Sequence, residues 1–75
     1  MIVSAEWPGY ILDIFVAVGQ DVDEDEPLML LEGTDEGRTQ FYVNAPESGK
    51  VSKILVEDGD FVGDDDDLIE LSDSN

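Results

Sequence analysis

The chain contains no cysteine and no histidine, and only 3 basic residues. Without cysteine there is no disulfide framework and no thiolate metal site. Without histidine the commonest general base and the commonest metal ligand are both missing. No apolar run approaches the roughly 20 residues needed to cross a bilayer as a helix. The opening Met1-Ile2-Val3-Ser4 has neither a basic segment nor a long apolar one, so no signal peptide is expected and the expected location is cytoplasmic. Against this scarcity stand 20 acidic residues, for a net charge of −17 over 75 residues. Such a surface repels phosphate backbones and anionic lipid headgroups, so neither nucleic acid nor a membrane is an expected partner. The length allows one small domain.

The charge does not imply disorder, because 41% of the residues are hydrophobic and fall in short β-branched and aromatic runs. Tyr10 to Val18 reads as a strand ended by Gly19, and Asp21 to Pro27 as a polar, turn-rich stretch. Leu28–Leu31, Phe41–Val43, Val51–Val56 and Leu68–Leu71 read as further strands, separated by Gly-, Asp- and Pro-rich turns. No segment sustains a 3.6-residue period, so no substantial helix is expected. Short strands about ten residues apart point to an all-β barrel or sandwich.

A repeat organises these strands. Shifting the chain by 40 residues places Ala5 on Ala45, Gly9 on Gly49, Ile14 on Ile54, Val16 on Val56 and Gly19 on Gly59. Val22 then falls on Val62, Asp25 on Asp65 and Leu28 on Leu68, with the conservative pairs Ile11/Val51, Phe15/Leu55, Met29/Ile69 and Leu31/Leu71 between them. Each half is too small to bury its own apolar face. Two halves packed about a pseudo-twofold axis would share one core.

The motifs Ala45-Pro46-Glu47-Ser48-Gly49-Lys50-Val51 and Val56-Glu57-Asp58-Gly59-Asp60-Phe61-Val62, with first-half counterparts around Gly9 and Val16–Val22, resemble the biotinyl/lipoyl attachment domain family from Ile2 to about Leu71. The resemblance implies a flattened barrel of two similar four-stranded sheets over residues 1–71, leaving 72–75 as a polar tail. Carriers of this family hold biotin or lipoate on one lysine at the tip of a central hairpin. Counted back from Ala45, that position is Arg38; counted forward from Glu32, it is Asp35. The hairpin Gly33-Thr34-Asp35-Glu36-Gly37 is thus expected to be about three residues longer than usual, with Arg38 at the acceptor position. Arginine stays protonated and cannot supply the neutral amine that acylation requires. Of the remaining bases, Lys50 follows the Gly49 turn and Lys53 falls on the next strand. No cofactor is therefore expected, and the favoured function is an unmodified binding, docking or scaffold module related to acyl- or carboxyl-transfer carriers. A genuine biotin or lipoyl carrier is the alternative. With no long insertion at the hairpin, a membrane-fusion adaptor is disfavoured. With no Pro/Ala-rich linker, a free-standing protein is expected.

Other candidate sites are weak. Asp21, Asp23, Asp25 and Glu32 imitate the spacing of an EF-hand calcium loop, but Glu26 stands where glycine is required and strands replace the flanking helices. Asp64 to Asp67 matches the acidic turn of the first half. Both read as solvated turns, and no metal is expected. The serines have no histidine partner, and a barrel this small leaves no pocket to split carboxylate pKa values, so no enzyme is expected.

The repeat also marks asymmetric positions. Trp7, Tyr10, Leu12, Ala17, Val18 and Leu30 face Glu47, Lys50, Ser52, Glu57, Asp58 and Glu70 in the second half. Either they form an apolar patch for a protein partner or a second copy, or an imperfect twofold lets them fill the core.

Acidic excess with depleted lysine suggests a halophilic source, the competing account being a phage or bacterial protein with an acidic docking face. Self-repulsion at −17 is relieved by screening. The melting temperature is expected to rise clearly between low salt and molar KCl in a calorimetric series, and a flat response would contradict the halophilic reading.

Overall fold

The computed structural model describes residues 1–73. It contains β1 (Ile2–Ser4), β2 (Gly9–Ile14), β3 (Asp21–Val22), β4 (Pro27–Gly33), β5 (Gln40–Asn44), β6 (Gly49–Ile54), β7 (Phe61–Val62) and β8 (Asp67–Ser72). The strands form two antiparallel four-stranded sheets in the orders β1-β8-β6-β3 and β5-β4-β2-β7. Adding 40 to each strand of the first half generates the second, and the same shift exchanges the two sheets. The repeat is therefore a structural twofold, as its matched glycines and apolar residues require. Of the expected tail, Ser72 ends β8 opposite Lys50, and residues 74–75 lie outside the described residues.

The core consists of matched pairs. Ala5/Ala45, Ile11/Val51, Val22/Val62, Leu28/Leu68, Met29/Ile69 and Leu31/Leu71 are all buried, and no polar or charged residue is buried among the described residues. Apolar burial of this kind is the main term holding so small a domain together. Both sheets carry the same irregularity. Between Ile11↔Leu31 and Asp13↔Leu30 the extra residue is Leu12; between Val51↔Leu71 and Lys53↔Glu70 it is Ser52. A bulge turns the extra side chain out of the pleat, and Leu12 is exposed.

The halves are tied by reciprocal main-chain bonds. Gly19 N–H donates to Val51 C=O and Gly59 N–H to Ile11 C=O, both at 2.7 Å. Asp25 N–H donates to Ala45 C=O and Asp65 N–H to Ala5 C=O, both at 2.8 Å. These bonds shorten two of the expected strands. The predicted strand Tyr10–Val18 ends at Ile14 because the following segment must carry the Gly19 amide across to the other sheet, and β6 ends at Ile54 instead of Val56 for the same reason. The stretch read only as a turn, Asp21–Pro27, contains β3, which pairs with Lys50 and Gly49.

Four tight turns repeat in pairs. Gly19 and Gly59 have φ of +94° and +91°, and Asp25 and Asp65 have +67° and +69°. Aspartate tolerates this left-handed region better than most residues. The last residue of each turn returns a side-chain oxygen to the first residue's amide: Gln20 to Ala17, Glu26 to Asp23, Asp60 to Glu57 and Asp66 to Gly63. Several of the surplus acids thus terminate backbone donors. The β4–β5 hairpin has as its twofold counterpart the junction of β8 and β1, where the Met1 ammonium donates to Leu71 C=O at 2.7 Å.

Gly9 and Gly49 meet a harder constraint than the turn glycines. A Cβ at Gly9 would lie 2.6 Å from Glu32 C=O, and one at Gly49 2.7 Å from Ser72 C=O. Gly9→Ala and Gly49→Ala are each expected to cost more than about 2 kcal/mol in urea denaturation. Gly19→Ala and Gly59→Ala meet no atom within 4 Å and are expected to cost about 1 kcal/mol each, from the backbone conformation alone.

Candidate functional site

The twofold breaks at the hairpin joining β4 to β5. Its tip, Thr34 to Thr39, is a turn closed by Arg38 N–H donating to Asp35 C=O at 3.0 Å and by Gly33 N–H donating to Thr39 C=O at 2.8 Å. Asp35 organises it. Its Oδ1 accepts from Thr39 N–H at 3.1 Å and its Oδ2 from Thr39 Oγ1 at 2.9 Å. These bonds, the hydroxyl first and then the amide, hold the Asp35 carboxyl below its ordinary value of 3.8 although the group is solvent-exposed. Arg38 is exposed, with φ +49°. Thr34, Glu36 and Gly37 are exposed around it, and Gly33 is half-buried at the base.

Two open hollows flank the hairpin stem. One, of about 430 Å³, lies between Trp7, Pro8, Gly33, Asp35 and Phe41. Trp7 and Phe41 meet edge to face there, with ring centroids 5.6 Å apart. The other, of about 510 Å³, is bordered by Tyr10, Glu32, Thr34, Asp35 and Arg38. Lys50 and Lys53 lie on β6, in the sheet that does not carry the hairpin.

The asymmetric positions resolve in favour of exposure. Trp7, Tyr10, Leu12 and Val18 are 59%, 49%, 41% and 63% exposed. Ala17 is exposed, and Leu30 is half-buried. They do not form one surface. Tyr10 and Leu30 point outward from β5-β4-β2-β7, since Ile11, Met29 and Leu31 between them point into the core. Trp7 belongs to the first hollow, and Val18 to the Ala17–Gln20 turn.

The outer face of that sheet also holds residues that asymmetry between the halves does not mark. Tyr42 lies opposite Leu30, and Phe61 opposite Tyr10 with ring centroids 5.2 Å apart. Phe15 reaches Tyr42, with centroids 6.1 Å apart. Phe61 has Asp21 as its first-half partner, so its asymmetry runs in the reverse direction. Tyr42 and Phe15 give no signal because their partners, Ile2 and Leu55, are also apolar. The matching face of the other sheet keeps the exposed aliphatic residues Ile2 and Leu55 but carries no aromatic ring. Lys50, Ser52 and Glu70 stand where Tyr10, Leu12 and Leu30 stand here, and Ser52 Oγ donates to Glu70 Oε1 at 2.8 Å.

The acidic loops are turns. Within Asp21–Glu32, Glu26 caps Asp23 N–H and Asp25 N–H donates to Ala45 C=O. Among the described residues, no three acidic side chains are grouped to hold a metal ion.

The Asp35 pair gives a direct check. In an NMR titration the Asp35 midpoint is expected below 3.8, and Thr39→Val should raise it. Because the folded value is depressed, the stabilising contribution is complete above the unfolded value and is lost as pH falls through the folded one. The Thr39 amide signal should therefore move in that acid window alone.

Comparison with known proteins agrees with this geometry. Residues 1–71 match the Biotin_lipoyl family model, described as "Biotin-requiring enzyme". The biotin/lipoyl attachment protein of Bacillus subtilis is 30% identical over 74 residues, covering 99% of this chain and 97% of that protein. The pyruvate carboxylase of Staphylococcus aureus is 30% identical over 69 residues, which are 92% of this chain and 6% of the carboxylase. The chain thus spans only a small part of that relative. Among solved structures, the urea carboxylase of Kluyveromyces lactis superposes with a TM-score of 0.86 at 29% identity, covering 96% of this chain and 6% of that one. With two twofold-related sheets, a β4–β5 hairpin and a family match over 1–71, the chain belongs to the biotinyl/lipoyl domain family.

Proposed function

We propose that this chain is a non-catalytic biotinyl/lipoyl-type module that works without a covalent prosthetic group and docks on a protein partner. The observation that carries the reading is the chemistry of the hairpin. Gly33 to Thr39 contains no lysine, and its only base is Arg38. A guanidinium keeps its proton at any physiological pH and is a poor nucleophile toward an acyl adenylate. Lys50 and Lys53 lie within the β6 ladder, on the sheet away from the hairpin.

The docking part of the reading is supported by the difference between the two outer faces. Tyr10, Leu12, Phe15, Tyr42 and Phe61 are all exposed on or beside one sheet, where the twofold-related face carries Lys50, Ser52 and Glu70 with only the aliphatic Ile2 and Leu55. An apolar face on a chain of charge −17 suits a partner with an apolar surface rimmed by basic residues. A second copy would bring a further −17 against it, so a basic partner is favoured over self-association. The relatives named above are a biotin/lipoyl attachment protein and two carboxylases, which favours a carboxyl-transfer assembly as the setting.

A swinging-arm carrier is the competing reading, favoured by the near-complete match to the biotin/lipoyl attachment protein. Intact-mass spectrometry separates the two. After co-expression with biotin ligase, and separately with lipoate ligase, in medium supplying the prosthetic group, the mass is expected to remain that of the bare polypeptide. An increase equal to either group would establish the carrier.

A further inference from the structure

The hollow between Trp7 and Phe41 differs in lining from its twofold counterpart, which also measures about 430 Å³ but is bordered by Met1, Glu47, Ser48 and Leu71 and holds no aromatic ring. Glu47, Ser48 and Met1 stand where Trp7, Pro8 and Phe41 stand, and the hairpin corresponds to the chain ends. Its construction is specific. A Cβ at Gly33 would lie 2.9 Å from Asp35 Oδ1 and 3.9 Å from the Phe41 ring, so carboxylate and ring approach the same bare Cα. Thr39 binds both carboxylate oxygens, which orients the group. Each oxygen still has acceptor capacity directed elsewhere. No basic residue borders the hollow, and Trp7 remains 59% exposed despite its contact with Phe41.

We propose that this cleft binds an organic cation with an apolar stem, the guanidinium or ammonium of a basic side chain, packing the stem against Trp7 and Phe41 and setting the charge against the Asp35 carboxylate. Each element favours that class. Aromatic faces attract cations and tolerate methylene stems. A neutral apolar ligand would cover an ionised carboxylate without pairing it, which is unfavourable. An anion would meet both Asp35 and a net charge of −17. The bonds from Thr39 hold the Asp35 carboxyl below its ordinary value, so the acceptor is charged at neutral pH. The proposal rests on the docking reading only for the source of the cation, which that reading assigns to the partner's basic rim.

Trp7 is the only tryptophan, so its fluorescence reports on the cleft without a label. The unmodified protein is titrated at low ionic strength with N-butylguanidinium, with neutral 1-pentanol, and with the capped tripeptide acetyl-Gly-Arg-Gly-amide. The guanidinium is expected to give a saturable change that added salt weakens, with pentanol at least about fivefold weaker. Asp35→Asn should weaken the guanidinium about fivefold and leave pentanol unchanged, whereas Asp64→Asn, which removes one charge outside the cleft, should change it less than about twofold. Equal binding of pentanol and guanidinium would overturn the proposal, as would equal losses in the two variants, which would mean bulk charge attraction. The wild-type comparison decides the matter even if Asp35→Asn fails to fold. Binding of the tripeptide supports delivery by a protein side chain; guanidinium binding without the tripeptide supports a free organic cation. A prosthetic-group mass increase would refute the unmodified reading and leave this one standing.

Discussion

Everything in this fold depends on the exchange of main-chain hydrogen bonds between its halves. Gly19 donates to Val51 and Gly59 to Ile11, each at 2.7 Å, and the acceptors are themselves core residues. Neither half can close its own sheet, because the short strands β3 and β7 pair with β6 and β2 of the opposite half. The two buried apolar faces are thereby held together by bonds that exist only when both halves are in place. A chain this short gains cooperativity from such interlocking that its limited buried area would not provide alone.

The acidic excess is accommodated by the same arrangement. With no charged residue buried among the described residues, carboxylates stay in water, where their mutual repulsion is screened. Glu26, Asp60 and Asp66 also accept turn amides that would otherwise depend on solvent. Asp35 does the same for the hairpin, and there the result differs, because the rings of Trp7 and Phe41 stand beside it. One structural habit, an acid closing a turn, thus produces solvated loops at Glu26, Asp60 and Asp66 and a built cleft at Asp35.

Much of this could be read from residues alone. The core was legible because pairs such as Leu28/Leu68 and Val22/Val62 recur at a constant offset, and burial follows the repeat. Two-residue strands were not legible, since Asp21-Val22 and Phe61-Val62 carry too little pattern to separate from their turns. Strand ends differ from the sequence pattern where apolar residues such as Phe15 and Val18 continue past the last rung, because tertiary bonding decides where the ladder stops. Exposure of Trp7 and Tyr10 followed from asymmetry between the halves. Their separation onto two surfaces did not, since only the sheet order brings Tyr10 beside Phe61 and the hairpin brings Asp35 toward Trp7. The contact between Asp35 and Thr39 crosses a turn whose conformation has no repeat partner to announce it.

The equivalence of the β4–β5 hairpin and the β8–β1 junction has an evolutionary consequence. The barrel has two twofold-related joints, and no core residue lies between Thr34 and Gln40 at the closed one. Met1 and Leu71 reproduce with an open joint the pairing that the hairpin achieves with a closed one. The closed joint is therefore a neutral position for invention: residues can be inserted, a reactive side chain replaced or a new partner recruited there without disturbing a buried atom. A lineage can change what such a domain does at this joint while preserving the way it folds.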